Sequence, residues 1–126
     1  RQRNVEISIH AEYPKDCKID PIDLCTILTN LLDNAIEACE KLPQSSTKKM
    51  SVTIRRINQF VIIQIANSYM EEPAIIKGNY VTSKADKRNH GWGIKNVKSA
   101  IEKYHGTMEY EYSENVFTVS TMLFYQ

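Results

Sequence analysis

The stretch NLLDNAIEAC, residues 30 to 39, holds two amides, Asn30 and Asn34, four positions apart, with the carboxylate Glu37 three positions further on. At roughly 100° per residue these three fall in one narrow sector of a helix, nearly opposite Leu28 and Leu32. A solvated face is the plainer reading of such a stripe, yet solvated faces are usually filled with Lys, Glu, Gln and Arg, which propagate helices better than Asn. Neutral amide oxygens suit a hard cation such as Mg²⁺, which keeps several waters and takes few protein ligands. The second group is NHGWGIKNV, residues 89 to 97. Gly91 and Gly93 flank Trp92 and lead into a helical pattern, so the backbone there can approach an anion and offer N–H groups at a helix N-terminus. A tight turn before a helix would also explain a lone GxG, and Trp92 by itself reads as a packing residue.

Alternating elements position these groups. Val5, Ile7 and Ile9 alternate with Glu6, Ser8 and His10, the period of a half-buried strand. Asp20 is a natural N-cap, Pro21 suits the first helical position, and Asp23 favours the positive end of the helix. Leu24, Ile27, Leu28, Leu31, Leu32, Ala35, Cys39 and Leu42 then recur at helical spacing until Pro43. A polar loop, QSSTKK, leads to a strand with Met50, Val52 and Ile54 on one face, and a turn near Asn58 and Gln59 joins it to FVIIQIA, apolar on both faces and so central. Residues 67 to 93 show no clear period, as in functional or mobile loops. Ile94, Val97, Ile101 and Tyr104 mark a second helix closed by Gly106. A hairpin follows: Met108, Tyr110 and Tyr112, a turn at SEN, then Phe117, Val119, Thr121 and Leu123 facing one way. The pattern predicts an α+β fold, one mixed sheet covered on one face by helices.

Composition narrows the function. A chain of 126 residues with 16 basic and 15 acidic side chains, net charge +1, projects no field that would favour nucleic acid or an anionic membrane. No apolar run approaches the roughly 20 residues of a membrane span, and a cytoplasmic domain is expected. Cys17, Cys25 and Cys39 match no paired zinc spacing and read as buried thiols.

Asn30 to Ala38 resembles the N-box of the GHKL ATPase superfamily, which unites gyrase, Hsp90, histidine kinases and MutL; His90 to Val97 resembles its G2 box, and Thr82, Ser83 and Lys84 look like the TSK or TTK of the histidine-kinase ATP lid. The resemblance covers nearly the whole chain, 1 to 126, and is nearest to the catalytic domains of peptide-quorum-sensing receptor kinases of Gram-positive bacteria. It implies a two-layer α/β sandwich, the Bergerat ATP-binding fold, with ATP and Mg²⁺ as ligands. Asn34 would hold the metal and Asn30 would lie beside the phosphates. Glu37 would stand close by, and Asn67 would occupy the place of the adenine-reading aspartate. Gly91 and Gly93 would line the phosphates, and His90, Trp92 and Ile94 would belong to the same nucleotide-binding segment.

The sequence departs from the family where NSYME replaces DxGxG and Asn89 replaces the first glycine of the G2 box. An asparagine carbonyl still accepts a hydrogen bond from an adenine amino group, but without the charge that roughly doubles its strength. Where the hydrolysing branches carry a glutamate, Asn30 cannot act as a general base, so transfer to a positioned acceptor is favoured over hydrolysis, with Lys77, Lys84, Lys87 and Arg88 as candidate helpers. The resemblance further implies a catalytic fragment, monomeric alone. Its partners would be a separate dimerisation and phosphoacceptor domain and, indirectly, a response regulator, in a parent protein anchored in the cell membrane.

Overall fold

Among the described residues the elements run β1 (Val5–Ala11), α1 (Pro21–Glu40), β2 (Lys48–Ile57), β3 (Phe60–Ser68), β4 (Ala74–Ile76), β5 (Asn79–Val81), α2 (Lys87–Lys103), β6 (Thr107–Ser113) and β7 (Val116–Phe124). The structure, a computed structural model, describes residues 5–43, 47–69, 74–76, 79–81 and 87–125, and for 74–76, 79–81 and 87–94 the backbone alone. Five strands form one sheet in the order β1-β2-β3-β7-β6, with β1 parallel to β2 and every other neighbouring pair antiparallel. β4 and β5 form a separate antiparallel pair. This is the expected α+β architecture.

Local chemistry explains the long first helix. Asp20 accepts a hydrogen bond from the Ile22 N–H at 2.9 Å and Pro21 occupies the first turn, so one of the unsatisfied donors at the helix start is capped. α1 buries Ile27, Leu31, Ala35 and Cys39. The helix stops at Glu40, short of Leu42, which is buried as part of the exit loop. The seam meets Val61, Ile63 and Ile65 of β3, Phe117, Val119 and Leu123 of β7, and Val97, Ala100 and Ile101 of α2 in one core. Each such aliphatic side chain contributes about 1.5–3 kcal/mol on burial. The opposite face of the sheet carries Gln64 and Ser120, hydrogen-bonded to each other at 3.0 Å.

The turns follow from backbone sterics. Glu114 and Asn115 both take left-handed φ, 52° and 65°, the two-residue turn whose twist matches a hairpin. At the end of α2, His105 N–H bonds to the Glu102 carbonyl and Gly106 N–H to the Ile101 carbonyl, both at 3.0 Å, the pattern of a Schellman stop. The left-handed residue is His105, φ 54°, rather than Gly106. Gly106 is required for another reason: a Cβ there would collide with the Met122 carbonyl oxygen of β7.

Four expectations need correction. Residues 67 to 93 are not one loop, since they contain β4, β5 and the start of α2. The second helix begins at Lys87, not after Gly93. Its apolar period is visible only where Val97, Ala100 and Ile101 are buried, and KRNHGWG carries no apolar repeat to announce the earlier turns. β1 is not half-buried: Ile7 and Ile9 are 55% and 70% exposed. Of the three thiols only Cys39 is buried; Cys17 is half-buried and donates to the Tyr13 hydroxyl, and Cys25 is exposed.

Candidate functional site

The polar stripe of α1 is turned toward α2. Asp23 lies in the same angular sector as Asn30 and Asn34, and at the start of α1 it accepts hydrogen bonds from Tyr104, and from Lys103 at 3.0 Å, at the end of α2. The Tyr104 hydroxyl first, and the Lys103 ammonium second, hold the Asp23 carboxyl below the usual carboxylate range. Burial first and Asp23 second push Tyr104 up, so Tyr104 stays a neutral donor; it also accepts from the Asp20 N–H at 2.9 Å. Seven residues further along α1, Asn30 lines a cavity of about 420 Å³ together with Asn96, which lies seven residues before Lys103 on α2. The two helices therefore run antiparallel and in step. At 1.5 Å of rise per residue on each helix, four residues more bring Asn34 level with Trp92, between Gly91 and Gly93.

Asn30, Asn34 and Glu37 are all half-buried, on the flank of the seam formed by Ile27, Leu31, Ala35 and Cys39. Asn30 donates from Nδ2 to the Thr26 carbonyl at 2.7 Å, one turn back. Asn34 and Glu37 are each engaged with a neighbour. The solvated-face reading is thereby disfavoured.

Asn67 comes from the end of β3, where it pairs with Met50 of β2 and Phe117 of β7. Its side chain is 4% exposed, a polar group within an apolar core. Nδ2 donates to the Ser68 carbonyl at 2.9 Å, which leaves Oδ1 as the acceptor without a partner among the described residues. A second cavity, also about 420 Å³, touches Asn67 but opens among Glu6, Ser8, Lys49, Ser51 and Ser68, beside β1 and away from α2.

His90, Gly91, Trp92, Gly93 and Ile94 lie within α2, and only their backbone is described. The first-turn N–H groups of α2, free of intrahelical partners, belong to residues 87 to 89, while those of His90, Gly91 and Gly93 fall inside the helical ladder. The amide-lined mouth thus stands about one turn nearer Glu37 than the glycine motif suggests. Thr82, Ser83, Lys84 and Lys77 lie outside the described residues, as do the side chains of Lys87 and Arg88. Sequence reasoning missed Asn96 and the Asp23–Tyr104–Lys103 clamp. Asn96 carries a signal in hindsight, an amide on the polar side of α2, whereas the clamp joins residues some 80 positions apart.

Comparison with known proteins places this geometry in context. Residues 19–124 match the family described as GHKL domain. Histidine kinase AdeS of Acinetobacter baumannii is similar at 20% identity and TM-score 0.68, over 99% of this chain and 56% of that one. The nucleotide-free catalytic domain of histidine kinase ThkA is similar at 19% identity and TM-score 0.71, over 95% of this chain and 78% of that one. Full-length ShkA in complex with AMPPNP is similar at 15% identity and TM-score 0.72, over 98% of this chain and 26% of that one. The chain thus spans about half the length of AdeS. No curated protein sequence matches the chain. At these identities the likeness is one of fold, and the fold is that of histidine-kinase catalytic domains. With most of its length matched, this chain belongs to the GHKL domain family.

Proposed function

We propose that residues 1–126 are the ATP-binding catalytic domain of a bacterial sensor histidine kinase, of the peptide-quorum-sensing receptor type, which passes the γ-phosphoryl group of ATP to a histidine on a separate dimerising hairpin. The observation that carries this reading is the antiparallel step of α1 on α2, which supports a site with Asn34 beside the glycine segment and about one turn from the N–H groups that open α2. ThkA and AdeS are histidine kinases by name, and the ShkA complex holds an ATP analogue.

The residues present fit the ligands. Asn34 offers a neutral oxygen of the kind Mg²⁺ takes when it keeps most of its waters. Mg²⁺ bound there would neutralise phosphate charge. Asn67 Oδ1, oriented by the Ser68 carbonyl, suits an adenine amino group. Asn30, which gives one Nδ2 hydrogen to the Thr26 carbonyl, positions phosphate with the other and activates no water. Glu37 and the start of α2 border the phosphates, joined by Thr82, Ser83, Lys84, His90, Trp92 and Ile94. Catalysis then rests on placement and charge neutralisation. The parent protein is anchored in a membrane, with this domain in the cytoplasm and a response regulator as the eventual phosphate acceptor. No described helix is long and apolar enough to cross a membrane.

A second reading, a nucleotide-binding or interaction module that keeps the fold without kinase chemistry, draws on NSYME and on the helical placement of Gly91 and Gly93. Titration with a non-hydrolysable ATP analogue, with and without Mg²⁺, separates the two. Metal-dependent binding that Asn34→Ala weakens by about 1–3 kcal/mol, the cost of one charge-assisted contact, is expected. Binding indifferent to Mg²⁺ and to Asn34 would instead support the module.

A further inference from the structure

β1 lies at one edge of the sheet, and its inward row, Val5, Ile7, Ile9 and Ala11, continues the core row of β2 without its burial. Ile7 at 55% and Ile9 at 70% exposure sit beside Met50 and Val52, which are 4% and 6% exposed. The backbone shows which groups are on offer. The Glu12 N–H reaches the Ile54 carbonyl at 2.6 Å, so even-numbered residues of this strand address β2. The N–H and C=O groups of Val5, Ile7, Ile9 and Ala11 therefore point outward, unpaired among the described residues. Edge strands are usually protected by Lys, Pro or a bulge, and VEISIHA has neither Lys nor Pro.

We propose that this edge is a self-association surface, at which β1 pairs antiparallel with β1 of a second copy. A two-fold pairing with full overlap of Val5–Ala11 is centred on Ser8. That register opposes Ile7 to Ile9 of the other copy, in hydrogen-bonded positions, and Glu6 to His10 of the other copy on the outer face. It does both twice by symmetry. Both interactions are complementary: four isoleucines shield one another, and each carboxylate meets an imidazole. The other edge of the sheet behaves oppositely. Full overlap of β6 with its own copy, centred on Tyr110, would set Glu109 against Glu111, like charges that oppose pairing. One edge thus invites a second copy and the other repels it. The resulting continuous sheet keeps the helices of both copies on one side.

This inference is independent of the nucleotide reading, and it replaces the expected monomer. An interface made of one seven-residue strand from each copy belongs to the small class, whose members associate weakly and transiently. Sedimentation equilibrium of the 126-residue chain up to about 1 mM, a range suited to weak interfaces, should show a monomer–dimer equilibrium. His10→Glu, which sets Glu against Glu, should weaken it roughly three- to thirtyfold, two cross-strand pairs being affected. Adding Glu6→His to that variant should restore it. In a background with Cys17 and Cys25 changed to Ser, Ser8→Cys should cross-link to itself under mild oxidant while Glu6→Cys does not, because only residue 8 faces its own copy. A monomer across the whole range, an exchanged pair no better than the single variant, or equal cross-linking at positions 6 and 8 would each overturn the proposal.

Discussion

Asp23 shows how a single side chain acquires two duties. At the first turn of α1 it favours the positive end of the helix, and across the helix interface it accepts from Tyr104 and Lys103. Its folded pKa is depressed, so its contribution to stability is present above the unfolded carboxylate value, near 3.9, and is lost as pH falls through the folded value. Asp23→Asn should therefore flatten the acid side of a stability profile measured by urea unfolding between about pH 6 and pH 2, leaving a shallower fall than in the parent chain. An unchanged acid slope would assign the loss to other carboxylates. Asn34 and Asn30 were legible by type and spacing, because amides are unusual on a helix stripe. Asn67 was legible only through the resemblance, as its burial depends on β2 and β7 lying on either side.

At the scale of elements, the glycines divide by purpose. Gly106 touches β7 so closely that Gly106→Ala forces the Met122 carbonyl aside, and a loss of about 1–3 kcal/mol is expected in thermal or urea unfolding. Gly93 stands within α2, where Gly weakens a helix by about 1 kcal/mol relative to Ala. Gly93→Ala should raise the melting temperature and lower nucleotide affinity, since the N–H groups of the glycine segment reach a phosphate only if the early turns of α2 loosen. Equal or tighter analogue binding in a calorimetric titration would show that the helix serves as it stands. Helix α1 could be read from its cap and its seam, whereas the early turns of α2 could not, because the sequence KRNHGWG carries no apolar repeat.

For the whole molecule, the proposed reaction needs a partner. Mixed with the parent kinase's own histidine hairpin, Mg²⁺ and labelled ATP, the domain should move label to the histidine while hydrolysing little in its absence, in keeping with the amide at Asn30. Rapid hydrolysis without acceptor, or no transfer with it, would count against the kinase reading. The sheet that supports this chemistry is asymmetric: its middle strands are covered by α1 and α2, while β1 keeps Ile7 and Ile9 in the open. That exposure escaped the alternation of VEISIHA, which reports only that two faces differ and not whether anything covers the apolar one.

Sequence alone determined the α+β class, the capped first helix, the central strand FVIIQIA and the closing hairpin, because caps, periods and left-handed turn residues act over a few neighbours. The GHKL motifs were readable for the same reason. Only the tertiary structure decided that the polar stripe of α1 faces α2 in antiparallel step, that α2 begins at Lys87, and that one sheet edge is left uncovered. Each of these depends on residues far apart in the chain meeting in space, and no local period records such a meeting.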